Sequence, residues 1–311
     1  MKFRLPQLVF AMTCALALSA ASVCGQDAAG RVREQARVSV AVLDLGETAA
    51  GLRIADELSA ALAQQTTRVT TVNRAQSRVA ARGVGYAGSL NLTLEEARAL
   101  GAAVGCDFYF TGEAQTLRRT STTRPDYFES YAALFLVSTE TGRLVLWEHV
   151  NAESDAGAPD EAEKRLLASL RERAVRYVEM IAKAQATESS ARLAGRDERS
   201  AFEELPEEGS PSAVNFRAPQ PYRSLRPVYP ETAARAAVEA TVDALVAVDA
   251  AGEVKDIEIV RWAGYGLNEA VMATVRQLHF RPAMRDGRPV PVRFLLRYNF
   301  RRPAEESKGK D

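Results

Sequence analysis

The chain has 311 residues, 47% hydrophobic and 26% charged, with 40 basic and 40 acidic side chains. That composition excludes a wholly disordered chain, a collagen-like chain and a coiled-coil rod, and the length suits about two domains of roughly 150 residues. Balanced charge gives no general pull toward nucleic acid. Two histidines and three cysteines are too few for a Cys/His zinc cluster or a disulfide framework.

Residues 1–25 open with Lys2 and Arg4, continue as an uncharged Ala/Leu-rich run, and end in small residues at Ala20, Ala21, Ser22 and Gly25. That is the layout of a secretory signal peptide. Three fates fit it: cleavage after Gly25, retention as an anchor, or acylation at Cys24. The apolar run of residues 8–23 is shorter than the ~20 residues that span a bilayer comfortably. Ala21-Ser22-Val23 suits an acylation signal poorly, so the layout favours cleavage. Any contact with a membrane would then require an uncleaved or acylated N-terminus. Cleavage leaves Cys106 as the single cysteine, expected to be a buried, inert thiol.

A first folded region is expected over residues 37–184. Val38-Ser39-Val40-Ala41-Val42-Leu43 is nearly all apolar, which suits a strand buried on both faces. Ile54, Ala55, Leu58, Ala61 and Leu62 recur at helical spacing. Residues 68–72 read as a second short strand. Thr93 with Glu96 forms a capping box before Leu94, Ala97 and Leu100. Phe108-Tyr109-Phe110 opens a third strand, and residues 131–137 and 144–147 form a hairpin across Thr139-Glu140-Thr141-Gly142. Pro159 starts a long helix with Leu166, Leu170, Ala174, Tyr177, Val178 and Ile181 on one face. The expectation is a mixed α/β sheet.

Residues 187–217 lose apolar periodicity. Seven acids (Glu188, Asp197, Glu198, Glu203, Glu204, Glu207 and Glu208) stand among Ser, Pro and Gly. This predicts an acidic flexible linker with few contacts across it, hence two independently folding regions.

A second region is expected over residues 219–303. Val242, Ala244, Val246 and Val248 alternate, Asp249-Ala250-Ala251-Gly252 makes a hairpin loop, and residues 254–262 return. Leu267, Ala270, Val271, Thr274, Val275 and Leu278 form an amphipathic helix. Val292, Phe294, Leu296, Tyr298 and Phe300 then alternate with Arg293, Leu295, Arg297 and Asn299, a half-buried last strand. The order β-β-α-β predicts a small antiparallel sheet under one helix, an α+β fold beside the α/β region.

Motifs for chemistry are weak. Gly83-x-Gly85-x-x-Gly88 lacks the preceding strand and following helix of a dinucleotide site and reads as a loop. Asn91-Leu92-Thr93 is a glycosylation sequon, but Thr93 serves better as a helix cap. His149 and His279 lie near no nucleophile motif or metal-ligand spacing. No catalytic, cofactor-binding or metal-binding residue is assigned. Between Arg276 and Arg302 stand eight arginines and one acid, Asp286. They read either as solubility and edge-protecting charge or as a surface for an acidic segment, the chain's own linker included.

The residues Val228-Tyr229-Pro230, Asp249-x-x-Gly252, Gly264-x-Gly266-Leu267, Phe280-x-Pro282-Ala283 and Asp286-Gly287-x-Pro289-Val290 occur in that order over about 80 residues. This pattern resembles the C-terminal domain of the TonB family. More weakly, Val40-Ala41-Val42-Leu43-Asp44-Leu45, Asp56-Glu57-Leu58, Val72-Asn73-Arg74, Leu100-Gly101 and Thr111-Gly112 resemble the exported domain of curli-secretion channel (CsgG-like) proteins. The TonB resemblance implies a non-enzymatic, periplasmic adaptor for an outer-membrane or envelope protein. Capture would be by strand addition along Val292, Arg293, Phe294, Leu295, Leu296, Arg297, Tyr298, Asn299 and Phe300. Energised relatives carry an N-terminal transmembrane helix with a histidine and a Pro-rich spacer. This chain has no histidine before His149, and a folded region stands in place of the spacer. An energy transducer anchored in the inner membrane, working with a proton-channel complex, is the second reading. An exported hydrolase is the third, from another class. No cofactor and no nucleic-acid partner is expected.

Overall fold

The computed structural model describes residues 37–65, 68–121, 124–155, 158–193, 202–207 and 209–302. The export segment and Cys24 lie outside these residues. The apolar run beginning at Val38 forms β1 (Val38–Val42). It lies between two parallel neighbours, β2 (Val69–Thr71) and β3 (Phe108–Ser121). The chain then turns back through β4 (Arg124–Ser138) and β5 (Leu144–Asp155), both antiparallel. The first sheet has the order β2-β1-β3-β4-β5.

Alternation along these strands feeds two cores. One face sets Val40, Val42, Phe110 and Leu134 against α1 (Ala49–Ala63) and α4 (Pro159–Leu193). The other face carries Ala41, Leu43, Tyr109, Phe135 and Val137, packed with α2 (Arg74–Gly83) and α3 (Leu94–Val104). The expected capping box at Thr93 and Glu96 is present, and Gly105 ends α3 in the left-handed conformation. Of the 83–88 glycines, Gly83 is the last residue of α2, and Gly85 and Gly88 lie in the loop that follows, both at positive φ.

The second sheet joins β9 (Ala240–Val248), β10 (Val254–Arg261) and β14 (Val292–Phe300) under α6 (Leu267–Val275). Its order is β10-β9-β14-β6, where β6 is the two-residue strand Glu203–Glu204. The short helix α5 (Glu231–Arg235) precedes β9. Short pieces complete this half: β7 (Phe216–Arg217) pairs with β12 (Ala283–Arg285), β12 with β13 (Arg288–Val290), and β8 (Gln220–Pro221) with β11 (Phe280–Arg281).

The acidic stretch differs from the flexible linker expected of it. α4 continues to Leu193, past its last core position, because Ala, Gln, Glu and Arg are strong helix formers. Thr141 Oγ1 donates to Glu188 (3.1 Å), and Arg192 pairs with Glu140. Further on, β6, β7 and β8 are each paired to a strand of the second half.

Nor are the two regions separated. Val242, Ala244, Val246, Val271 and Phe280 share one continuous core with Tyr109, Phe135 and Val137 of the first sheet. The join is the loop after β10. Trp262, 1% exposed, stacks on Phe135 at 5.8 Å, and Tyr265 packs on Phe135 and on Trp147 at 5.8 and 5.2 Å. Gly264 has φ +63°, and a Cβ there would lie 2.4 Å from Phe135. Its lack of a side chain lets the rings close.

Polar ties match the rings. Trp262 Nε1 donates to the Gly142 carbonyl (3.0 Å), and Tyr265 donates to Glu113 (2.8 Å). The Asn91 amide donates to the carbonyls of Thr241 and Trp262 (2.7 and 2.8 Å), and its oxygen accepts from Thr241 N–H (3.1 Å). The sequon asparagine is thus a clamp between the halves.

Cys106 is 6% exposed, and burial pushes its thiol from 9.0 up to about 11. The folded state therefore prefers the neutral thiol. This contribution is complete below pH 9 and is lost as pH rises toward about 11. Cys106 should resist alkylation at neutral pH until the chain unfolds. Cys106→Ser should fold with reduced stability and unchanged partner binding, as checked by alkylation kinetics and urea midpoints. Trp262→Ala should cost about 3–5 kcal/mol. In calorimetry the parent should unfold in one transition, and this variant should separate it into two.

Candidate partner-binding edge

The second sheet is built around the β9–β10 hairpin. Asp249 Oδ1 accepts from Ala251 N–H and Glu253 N–H (2.9 Å each), which closes the turn. The Glu253 amide and Lys255 hold the Asp249 carboxyl below its ordinary range. Gly252 takes φ +89°, and a Cβ there would strike the Phe280 carbonyl. The hairpin is thereby fixed against β11, and the sheet presents a defined pair of outer edges.

The two edges have different surroundings. β10 faces β5 across a cleft of about 350 Å³, which Arg143 and Glu258 bridge as an ion pair. No serine, cysteine or histidine lines that cleft. The far edge is β14. All nine of its residues pair with β9, from Val292 opposite Val248 to Phe300 opposite Ala240. On its outer side β6 pairs in parallel, Glu203 with Val292 and Glu204 with Arg293. Among the described residues no strand lies beside 294–300.

Peptide groups alternate sides along a strand. Glu203 N–H donates to the Pro291 carbonyl (3.0 Å), so Pro291 faces outward. By alternation the backbones of Arg293, Leu295, Arg297 and Asn299 face outward as well.

The nine residues singled out in the sequence are therefore one strand, with the expected faces. Val292 and Phe300 are buried, and Phe294, Leu296 and Tyr298 are half-buried. Leu295, Arg297 and Asn299 are exposed. Two corrections apply. The first two positions of the edge already hold β6. Two of the outward arginines are also engaged within the sheet. Arg297 makes a two-pronged bond to Asp243 (2.8 and 2.9 Å), which raises its pKa, and Arg293 lies 3.7 Å from Asp256. Arg261 approaches Asp243 at 3.5 Å, and Thr241 donates to Asn299 (2.8 Å).

The arginine-rich stretch does receive the chain's own acidic segment. Arg285 Nε donates to Glu203 (2.8 Å), a second nitrogen donates to the Ser212 carbonyl (3.1 Å), and the guanidinium lies 5.0 Å from the Phe216 ring. Arg281 stands over Tyr222. Glu203 belongs to the acidic run and Arg285 to the arginine run of the sequence, but neither is among the nine residues assigned to partner binding. Charge complementarity was the only sequence signal for them. Both histidines are in structural settings: His279 is 3.1 Å from Glu253, and His149 stacks on Tyr131.

Residues 226–301 match the family model of the Gram-negative bacterial TonB protein C-terminal. This TonB C-terminal domain contains α5, β9, β10, α6 and β14, so the edge just described is its last strand. The solution structure of the Pseudomonas aeruginosa TonB C-terminal domain is 20% identical, covering 32% of this chain and 91% of that one, with a TM-score of 0.25. The structure of the hypothetical protein CT253 from Chlamydia trachomatis is 11% identical, covering 46% of this chain and 98% of that one, with a TM-score of 0.32. No curated protein matches the chain. The comparisons do not support the CsgG-like resemblance of the first region. Among the described residues no helix is long and apolar enough to cross a membrane, and no cluster of three metal-ligating side chains occurs.

The Asp243 carboxylate, 5% exposed, depends on the Arg297 fork. Arg297→Met should lower stability by about 1–3 kcal/mol, because a buried acceptor loses two charged donors. Urea unfolding should show a lower midpoint with an unchanged slope.

Proposed function

We propose that this chain is an exported adaptor of the cell envelope. Its TonB C-terminal domain captures an extended segment of an outer-membrane or other envelope protein as an added strand. Such domains bind outer-membrane proteins in TonB-like proteins. The observation that carries the reading here is the outer edge of β14. Leu295, Arg297 and Asn299 turn their N–H and C=O groups away from β9, with no strand beside them among the described residues. An unpaired edge offers main-chain bonds to an incoming strand, and alternate side chains supply selectivity. Arg293 and Arg297 oppose self-pairing of the edge. The α/β half, locked to the domain through Trp262, holds a second partner and fixes the direction in which the edge points. Residues 1–25 direct export to the periplasm.

Proline removes an outward N–H without touching the inner face. Leu295→Pro and Asn299→Pro are the clean variants, since Arg297→Pro would also break the Asp243 fork. The probe is a panel of synthetic peptides spanning the N-terminal segments of the outer-membrane receptors of the same cell. At least one folded variant should lose about tenfold or more in affinity for a peptide that the parent binds. If every folded variant binds as well as the parent, β14 is not the docking edge.

A further inference from the structure

The docking edge carries an occupant from its own chain. Glu203 and Glu204 lie parallel to Val292 and Arg293 as a fourth strand. Glu203 N–H donates to the Pro291 carbonyl (3.0 Å), and the Glu203 carboxylate accepts from Arg285 (2.8 Å). The Phe202 ring lies 6.0 Å from the Arg293 guanidinium. An aromatic residue and an acid are thus seated on two arginines at the mouth of the edge. The pairing stops after two residues, and Leu205 and Pro206 continue without strand structure.

This occupant is weak by construction. Glu203 and Glu204 are exposed. A main-chain bond is worth about 0.5–1.5 kcal/mol net, and an exposed ion pair about 0–1 kcal/mol. What keeps the segment in place is its tether, since a linked segment acts at an effective concentration in the millimolar range. A longer strand along 291–299 would offer more bonds, but it needs the outward groups of Pro291 and Arg293 that the strap holds.

We propose that residues 202–204 are an intramolecular competitor for the docking edge. A partner strand enters parallel to β14, displaces this strap, and gives Arg285 a carboxylate of its own. The favoured partner segment is therefore extended and acidic, with an aromatic residue beside the acid to meet Arg293. This inference rests on the strand-addition reading of β14. It adds which segment must leave, and what chemistry replaces it.

Glu203→Pro removes both the N–H and the carboxylate of the strap and leaves the edge itself intact. The probe is a labelled synthetic peptide with the sequence of residues 202–207, titrated against the whole chain. A strap closed nine-tenths of the time lowers apparent affinity about tenfold. Glu203→Pro should therefore bind the peptide about tenfold more tightly than the parent. Adding Arg285→Ala to that variant should abolish the gain. Amide exchange at Arg293 should also quicken in Glu203→Pro while Leu296, paired to β9, is unchanged. Equal binding by parent and variant, or binding by neither, overturns the proposal. Leu295 and Asn299 lie beyond the strap, so the receptor-peptide test at those positions can fail while strap release succeeds, and the reverse.

Discussion

Trp262 decides how the two halves of this protein stand to one another. Its ring lies on Phe135, its Nε1 donates to Gly142, and its main-chain N–H and C=O are taken by Leu92 and Asn91. Every polar group of the residue is satisfied while the ring is withdrawn from water. That combination makes a contact directional as well as apolar. The second sheet is consequently not free to swing on a linker. Its β10 edge is held toward β5, and its β14 edge is left facing outward.

This asymmetry addresses the difficulty that open sheets present. A small antiparallel sheet has two edges, and each can recruit an unwanted strand. Here the near edge faces β5 across a cleft that the Arg143–Glu258 pair bridges. The far edge is long, carries arginines, and is covered at its start by Glu203 and Glu204. The arginines do two tasks. Arg297 holds the buried Asp243 carboxylate, and Arg285 holds the strap. A charge run that looks uniform in sequence is divided between structural and surface roles once the sheet forms.

The β9, α6 and β14 elements were legible because each has a clean apolar period, and β10 because it returns from the Asp249–Gly252 turn. Their packing creates that period, so pattern and structure share one cause. The junction was not legible, for the same reason. Trp262, Gly264 and Tyr265 lie in a loop, where side-chain spacing has no period to follow, and Asn91 stood out only as part of a sequon whose Thr93 serves better as a helix cap. The end of α4 was hidden because its last turns carry no core residue and persist through propensity and surface bonds. β6 was hidden because two residues are too few to show alternation. The candidate edge was readable as a strand. The segment already pairing with it was readable only as charge.

The strap acts unequally on different encounters. A foreign strand needs one edge uncovered. Two copies of this protein meeting edge to edge need both uncovered at once. A strap closed nine-tenths of the time therefore slows capture of a partner about tenfold but suppresses homotypic pairing about a hundredfold. A two-residue strand is in this respect a filter: it raises the ratio of useful to useless pairing while leaving the edge itself unchanged.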